Sequence, residues 1–325
     1  TRRTPLRNKS KQNDELENHP SFSSCATIPD VIILGAGAAG LMCGIEAGKR
    51  GRSVLVLERN ERIGEKIRIS GGGRCNFTNM VTEHEHYISE NPHFCKSALA
   101  RFSPDDFITM VKKHEISYHE KTLGQLFCDK SSLQIIDMLQ KECDDVGVQI
   151  VVSCGISDVR KGDRFAVATD KGEFESDSLV VATGGLSIPK LGATDFGYRL
   201  ARQFGLNITR TAPGLVPITV GREDVPFFTE LSGVSLEAIV SCSGQTFREN
   251  ILFTHRGLSG PAILQISSYW ERGSPISVNL SPEIALQEFL TDKHRSGVEL
   301  STVLSEILPK RLAKQLCAHF GWSKP

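Results

Sequence analysis
A glycine-punctuated turn between two apolar runs constrains this chain more than any other feature. Val31-Ile32-Ile33-Leu34 is uniformly apolar, as suits a parallel strand buried on both faces. Gly35-Ala36-Gly37-Ala38-Ala39-Gly40 follows and leads into a helical stretch from Ala38 to Arg50, punctuated by Gly51. Val54-Leu55-Val56-Leu57 is a second buried run, closed by Glu58. Strand, glycine turn, helix and strand make a βαβ unit. In the Gly35-x-Gly37-x-x-Gly40 pattern the first glycine permits a tight turn and the second lets backbone approach a pyrophosphate. The third lets helix pack on strand. The helix N-terminus offers free N–H groups and a partial positive charge to phosphates. Glu58, about 20 residues on, is placed to accept from a ribose hydroxyl. A dinucleotide site is therefore expected, and a purely structural glycine turn is the weaker alternative.

The rest of the chain is less regular. Asn60 to Asn79 reads as a glycine-rich loop, followed by two helices. The second of these opens on Ser103-Pro104-Asp105-Asp106, a capping serine, a proline and two first-turn acids. A third helix is expected near Ser132 to Val146, stopping at Gly147. Gln149 to Val152, Arg164 to Thr169, Gly172 to Phe174 and Ser178 to Val181 read as short strands. Lys161-Gly162-Asp163 and Asp170-Lys171-Gly172 serve as turns among them, so the stretch is read as a β-meander. Beyond Leu206 come several prolines, alternating strands and a polar helical tail from about Pro282. A domain boundary is expected between Leu206 and Pro213, giving domains over 30–212 and 213–325. The polar residues Thr1 to Pro29 are expected to form a disordered leader.

Composition narrows the class. The 325 residues carry 38 basic and 38 acidic side chains, a balance that weighs against a large phosphate footprint. Nine cysteines occur singly, without a CxxC pair, as in a cytoplasmic protein with reduced thiols. No apolar run has the length of a membrane span. Glu83-His84-Glu85-His86 has alternate spacing in a polar loop and no third ligand nearby, so no metal site is expected.

The glycine turn alone does not separate FAD from NAD(P). Two later features favour FAD. The meander leads into Leu179-Val180-Val181-Ala182-Thr183-Gly184-Gly185, as in the two-dinucleotide-binding (GR2-type) flavoproteins, where such a strand ends beside the dinucleotide. The run Gly64-Glu65-Lys66-Ile67-Arg68-Ile69-Ser70-Gly71-Gly72-Gly73-Arg74-Cys75-Asn76-Phe77-Thr78-Asn79 contains three consecutive glycines, whose backbone entropy calls for a reason such as close approach to a flat ligand.

At these residues the chain resembles the BaiN/RdsA (YhiN-like) family of NAD(P)/FAD-dependent oxidoreductases. Further carriers of the likeness are Gly124-Gln125-Leu126-Phe127-Cys128, Gly214-Leu215-Val216-Pro217 and Leu252-Phe253-Thr254-His255-Arg256-Gly257-Leu258-Ser259-Gly260-Pro261. The resemblance covers nearly everything from Asp30 onward. It implies an α/β fold with a Rossmann-like FAD-binding domain and, from about Pro213, an inserted β-rich domain that covers the flavin. It implies FAD held by Gly35, Gly37, Gly40, Glu58, Lys66, Arg74, Cys75, Asn76, Thr183 and Gly184, with a backbone contact near Ile156 to the adenine. Ala38, Ala39, Arg59, Gly72 and Gly73 complete the expected cofactor-binding set. Such families end on a glycine-glutamate-x-x-aspartate strand end and a glycine-glycine-tyrosine-asparagine helix start, and neither pattern occurs before Pro325. The chain is accordingly expected to be a C-terminally truncated piece that holds FAD weakly or not at all.

The implied chemistry is hydride transfer through the flavin, with NAD(P)H as reductant. With no second GxGxxG, NAD(P)H is expected to bind only transiently. Two substrates are implied: a uridine of ribosomal RNA, reduced to dihydrouridine, and a small enone-like or amine compound. A non-catalytic adenine-nucleotide module is a third possibility. Cys75 beside Arg74, with an expected depressed pKa, and His255 are the candidate proton donors. Packing roles compete with both.

Overall fold
The computed structural model describes residues 28–293 and 297–323, so the expected leader falls outside the described residues except for its last two positions. The chain divides into two compact units. The first holds the residues up to Val81 and Pro104–Leu200, and the second holds Thr82–Ser103 and the residues from Ala201 onward. Among the described residues, no helix is long and apolar enough to cross a membrane.

The first unit is built on β1 (Val31–Leu34), α1 (Ala38–Lys49) and β2 (Val54–Leu57), as the apolar runs dictate. All four residues of β1 and of β2 are buried. Their side chains alternate between two cores. Val31, Ile33, Val54 and Val56 join the core that also contains Leu41 and Ile45 of α1. Ile32, Leu34, Leu55 and Leu57 point to the opposite face. This period of two lets an unbroken apolar run serve a sheet covered on both sides. At the strand entrances, Asp30 Oδ2 accepts from the Ser53 N–H (2.7 Å) and hydroxyl (2.8 Å), which holds its carboxyl below the usual range.

Next come α2 (Glu65–Ile69), a single 3₁₀ turn at Ser70–Gly73 and β3 (Asn76–Asn79), within a stretch expected to be loop. The helix is five residues long, too short for an amphipathic period to show in the sequence. After α3 (Lys96–Arg101), which belongs to the second unit, follow α4 (Pro104–Lys113), β4 (Tyr118–Glu120), β5 (Gln125–Cys128) and α5 (Leu133–Asp145). Strands β3, β5 and β4 make a small antiparallel sheet in that order. Helix α5 contributes Ile135, Ile136, Met138, Leu139 and Cys143 to the core shared with α1.

The meander needs correction. β6 (Gln149–Val151) does not belong to it but pairs in parallel with β2. The meander is β7 (Ile156–Lys161), β8 (Phe165–Thr169) and β9 (Gly172–Ser176), and sequence reading missed its first strand. Ile156–Lys161 has only Val159 buried, so it lacks the apolar repeat that betrays a strand. β10 (Ser178–Val181) then pairs in parallel with β1. The main sheet thus has the order β10-β1-β2-β6. Val159 and Val167 of the meander and Leu200 of α6 (Phe196–Gln203) cover its second face.

The second unit has a five-stranded antiparallel sheet in the order β11-β14-β13-β12-β15. Its strands are β11 (Ile218–Thr219), β12 (Ser235–Cys242), β13 (Gln245–Thr254), β14 (Gly257–Ser259) and β15 (Ser277–Asn279). Helices α7 (Val225–Glu230) and α8 (Pro261–Ile266) interrupt the expected run of strands, and Ala262, Ile263 and Ile266 of α8 are buried in the sheet's core. The expected helical tail is α9 (Leu286–Lys293), α10 (Leu300–Leu304) and α11 (Lys310–Phe320).

Candidate dinucleotide site
The glycine turn sits at the carboxyl end of β1, where β2 lies on one side and β10 on the other. This reversal of strand order is where open α/β sheets form a ligand crevice. The Gly35 N–H donates to Leu57 O (2.8 Å) and the Ala182 N–H donates to Leu34 O (2.9 Å), which joins the three strand ends. Each glycine has its own steric reason. Gly35 has φ +105°, and a Cβ there would lie 2.6 Å from Ala182 O. A Cβ on Gly40 would lie 1.9 Å from Gly35 O, so α1 can approach its own turn only without a side chain. Gly37 is different: a Cβ there would meet no protein atom within 4 Å. Its missing side chain leaves open space in front of the N-terminus of α1, which no side chain caps.

That space is part of a cavity of about 500 Å³, within the ordinary range for small-molecule sites. Its walls include Gly35, Gly37, Ala38, Ala39, Glu58, Arg59, Lys66, Ile156, Thr183 and Gly184 from the expected set. Gly40 lies behind them, in the contact between helix and strand. An uncapped N-terminus of a 12-residue helix, a glycine that opens onto the cavity and an acid at the end of the neighbouring strand fit a diphosphate with an attached sugar.

Glu58 does more than the sequence reading gave it. Its side chain is buried at 8% exposure; Oε2 accepts from the Ala36 N–H (2.8 Å) and Oε1 from the Asn60 N–H (2.9 Å). The carboxylate therefore clasps the middle of the glycine turn as well as facing the cavity. Lys66 Nζ donates to Gly185 O (3.0 Å) and Ser187 Oγ (3.1 Å), and Arg59 Nη1 donates to Gly192 O (3.3 Å). On the opposite wall the Gly155 N–H donates to Asp170 Oδ1 (2.9 Å), fixing the start of the meander beside Ile156.

Residues 29–318 match the family model described as the HI0933-like protein Rossmann domain. The chain belongs to this family. It is 49% identical over 291 residues to the ribosomal RNA dihydrouridine synthase of Escherichia coli, an alignment covering 88% of this chain and 73% of that one. It is 46% identical over 291 residues to the protein of the same name from Haemophilus influenzae, covering 87% and 72%. A more distant relative is the 3-dehydro-bile acid delta(4,6)-reductase of Clostridium scindens, 26% identical over 305 residues, covering 87% and 73%.

Sequence reasoning missed several walls of the cavity in this HI0933-like chain. Asn60 lay in the stretch taken for loop, and Gly64, the first residue of the run read as favouring FAD but not named as a cofactor residue, ties its N–H back to Ala36 O (2.9 Å). Leu191 to Thr194, Phe196 and Arg199 follow β10, and the Pro189 to Gly192 turn was the available signal for them.

Gly72, Gly73, Arg74, Cys75 and Asn76 do not line this cavity. Local geometry accounts for their glycines. Gly71, Gly72, Gly73 and Cys75 have φ of 57°, 67°, 85° and 50°, all left-handed, and a Cβ on Gly71 would lie 2.7 Å from the Phe127 ring. The Cys75 side chain is buried with Met110, Val111 and Cys128. Burial pushes its thiol up, with partial relief from a hydrogen bond to the Ser70 hydroxyl, which is the reverse of the expected depression. His255 is exposed between β13 and β14 in the second unit, and its carbonyl accepts from Thr229 Oγ1 (3.3 Å). In the Glu83–His86 stretch, His84 Nδ1 pairs with Glu85 (2.8 Å) and His86 Nδ1 accepts from the Glu83 N–H (3.2 Å).

Proposed function
We propose that the Gly35 turn is the FAD site of a cytoplasmic enzyme that uses NAD(P)H to reduce a uridine of ribosomal RNA to dihydrouridine. Near half identity over 291 residues to two relatives that bear that activity in their names carries the reading. The cavity supports the cofactor. Amides at the start of α1 would hold the diphosphate, Glu58 would accept from a ribose hydroxyl, and Lys66 would add positive charge beside Gly184. When bound, the flavin supplies hydride transfer between NAD(P)H and the substrate.

Saturating the C5–C6 double bond of uridine needs a hydride at one carbon and a proton at the other. Cys75 and His255 are the nominated acids. Cys75 is buried outside the cavity and His255 is exposed, so His255 is the one of the two that a substrate can reach. The test is dihydrouridine in ribosomal RNA, measured by mass spectrometry in a strain lacking the encoding gene and in the complemented strain. Loss on deletion and return on complementation are expected. An unchanged dihydrouridine level removes the RNA reading.

A second reading, reduction of a small enone-like compound, is favoured by the 26% identity to a bile-acid reductase. Flavin bleaching by NADPH that is reoxidised by a steroid enone but not by ribosomal RNA would select it.

A further inference from the structure
The segment that follows β10 joins two parts of the cavity lining, Gly184 and Leu191–Gly192, and a cation holds each of its ends. At the near end Lys66 Nζ donates to Gly185 O (3.0 Å) and Ser187 Oγ (3.1 Å). At the far end Arg59 Nη1 donates to Gly192 O (3.3 Å), and a Cβ on Gly192 would lie 2.9 Å from Asn60 Oδ1. Between these anchors the segment closes on itself. The Leu191 N–H donates to Ile188 O (3.0 Å) and the Gly192 N–H to Pro189 O (2.9 Å). Leu186 and Ile188 remain 46% and 43% exposed, so little apolar burial holds the middle in place. Ile188 sits at φ +59° and ψ +66°, a left-handed conformation that a β-branched residue resists. A strained turn with an exposed middle persists because its ends are fixed.

We infer that residues 185–192 form a strap whose pins, Lys66 and Arg59, are positioning residues that couple it to the anion held in the cavity. The inference rests on the reading of that cavity as a dinucleotide site. Lys66, Arg59 and Gly192 all line it. An ammonium has three donors and a guanidinium five, so each cation can keep its strap bond and still face a phosphate. A bound diphosphate restrains both cations, and through them it tightens both ends of the strap. An empty cavity leaves the pins solvated and the strap looser.

Hydrogen exchange of the full chain, read by mass spectrometry with and without saturating ADP, tests this. Adenosine serves as the control that lacks a diphosphate. ADP is expected to slow exchange over both 35–40 and 185–192, and adenosine is expected to leave 185–192 unchanged. In Arg59→Ala the strap should exchange roughly three- to tenfold faster without ligand, the effect of losing one exposed charge-assisted hydrogen bond. A fluorescent ADP analogue should also dissociate faster by a similar factor. Arg59→Lys retains a donor and should restore part of both effects, whereas a purely structural role would leave the dissociation rate alone. If Arg59→Ala fails to fold, the ligand comparison on the wild type and on Arg59→Lys decides. Protection of 35–40 with no change at 185–192 overturns the strap and leaves the dinucleotide reading standing. Protection of neither segment by ADP removes the dinucleotide reading, and the strap with it.

Discussion
At the scale of single residues, the three glycines of the turn carry unequal loads. A methyl group on Gly40 has nowhere to go, because it would lie 1.9 Å from Gly35 O. A side chain on Gly37 would enter open cavity. Gly40→Ala should therefore destabilise the fold by about 1–3 kcal/mol or more, through overpacking against backbone that cannot yield. Gly37→Val should cost about 1 kcal/mol or less, the change in preference at a helix N-cap, and should weaken ADP binding at least tenfold. Urea unfolding and calorimetric titration read the two quantities separately. If Gly37→Val bound ADP as well as the wild type, the phosphate would have to lie elsewhere. The pattern of three glycines was plain in the sequence, but their order of importance was not. It depends on where the Ala182 and Gly35 carbonyls lie relative to each missing Cβ, which spacing alone does not reveal.

At the scale of elements, helices α4 and α5 are joined by a buried carboxylate. Glu142 has a side chain only 5% exposed and takes contacts from Lys113 Nζ (2.6 Å) and His114 Nε2 (2.7 Å). Burial pushes its carboxyl up, but the hydrogen bonds and charges of His114 and Lys113 outweigh it, and the net effect holds Glu142 below its ordinary value of 4.5. The same contact holds the Lys113 ammonium above its ordinary value. A carboxyl lowered by folding stabilises the native state above its unfolded pKa and loses that contribution as pH falls through the folded value. Glu142→Gln should accordingly cost about 1–3 kcal/mol in urea unfolding at pH 7, with the gap to wild type closing as the pH drops below 4.5. A gap that stayed constant down to pH 3 would show that the ion contributes nothing. Elements with a strong period were legible in advance. β1, β2, α1 and α5 lie within a residue or two of expectation, because an apolar run or a helical stripe records burial directly. β7 and α2 were not legible. The first is an edge strand with a single buried side chain, and the second is a helix of five residues.

At the scale of the whole molecule, the buried cysteines among the described residues behave as apolar filler. Burial pushes Cys128 and Cys143 up to about 11 from an ordinary value of 9.0, and it also raises Cys154 and Cys317. A two-unit rise lowers the thiolate fraction near neutral pH roughly a hundredfold. Iodoacetamide should therefore label Cys128 and Cys143 at least that much more slowly in the native protein than in urea, as peptide mapping can measure. Rapid native labelling of either would mean that its surroundings open readily. The candidate site was about half legible at this scale. Residues at the glycine turn, Glu58 and the end of β10 could be named from motifs. That Asn60, Leu191, Phe196 and Arg199 reach this cavity depends on how distant segments fold back; the Pro189 to Gly192 turn marks a bend in the chain but not what it faces.

The crevice lies where the order of the sheet reverses, and that fact bears on synthesis. The turn at Gly35 leaves the ribosome before the strand that closes its other side, Ser178–Val181, which emerges only after helices α1 to α5 and the meander. A nascent polypeptide that stops before Ser178 carries the whole phosphate-binding signature yet has no pocket. Competence to take up a cofactor is thus acquired in one late event, the docking of a remote strand across a long closed loop. A released fragment ending at residue 175 should ignore ADP, and one ending near residue 205 should respond to it.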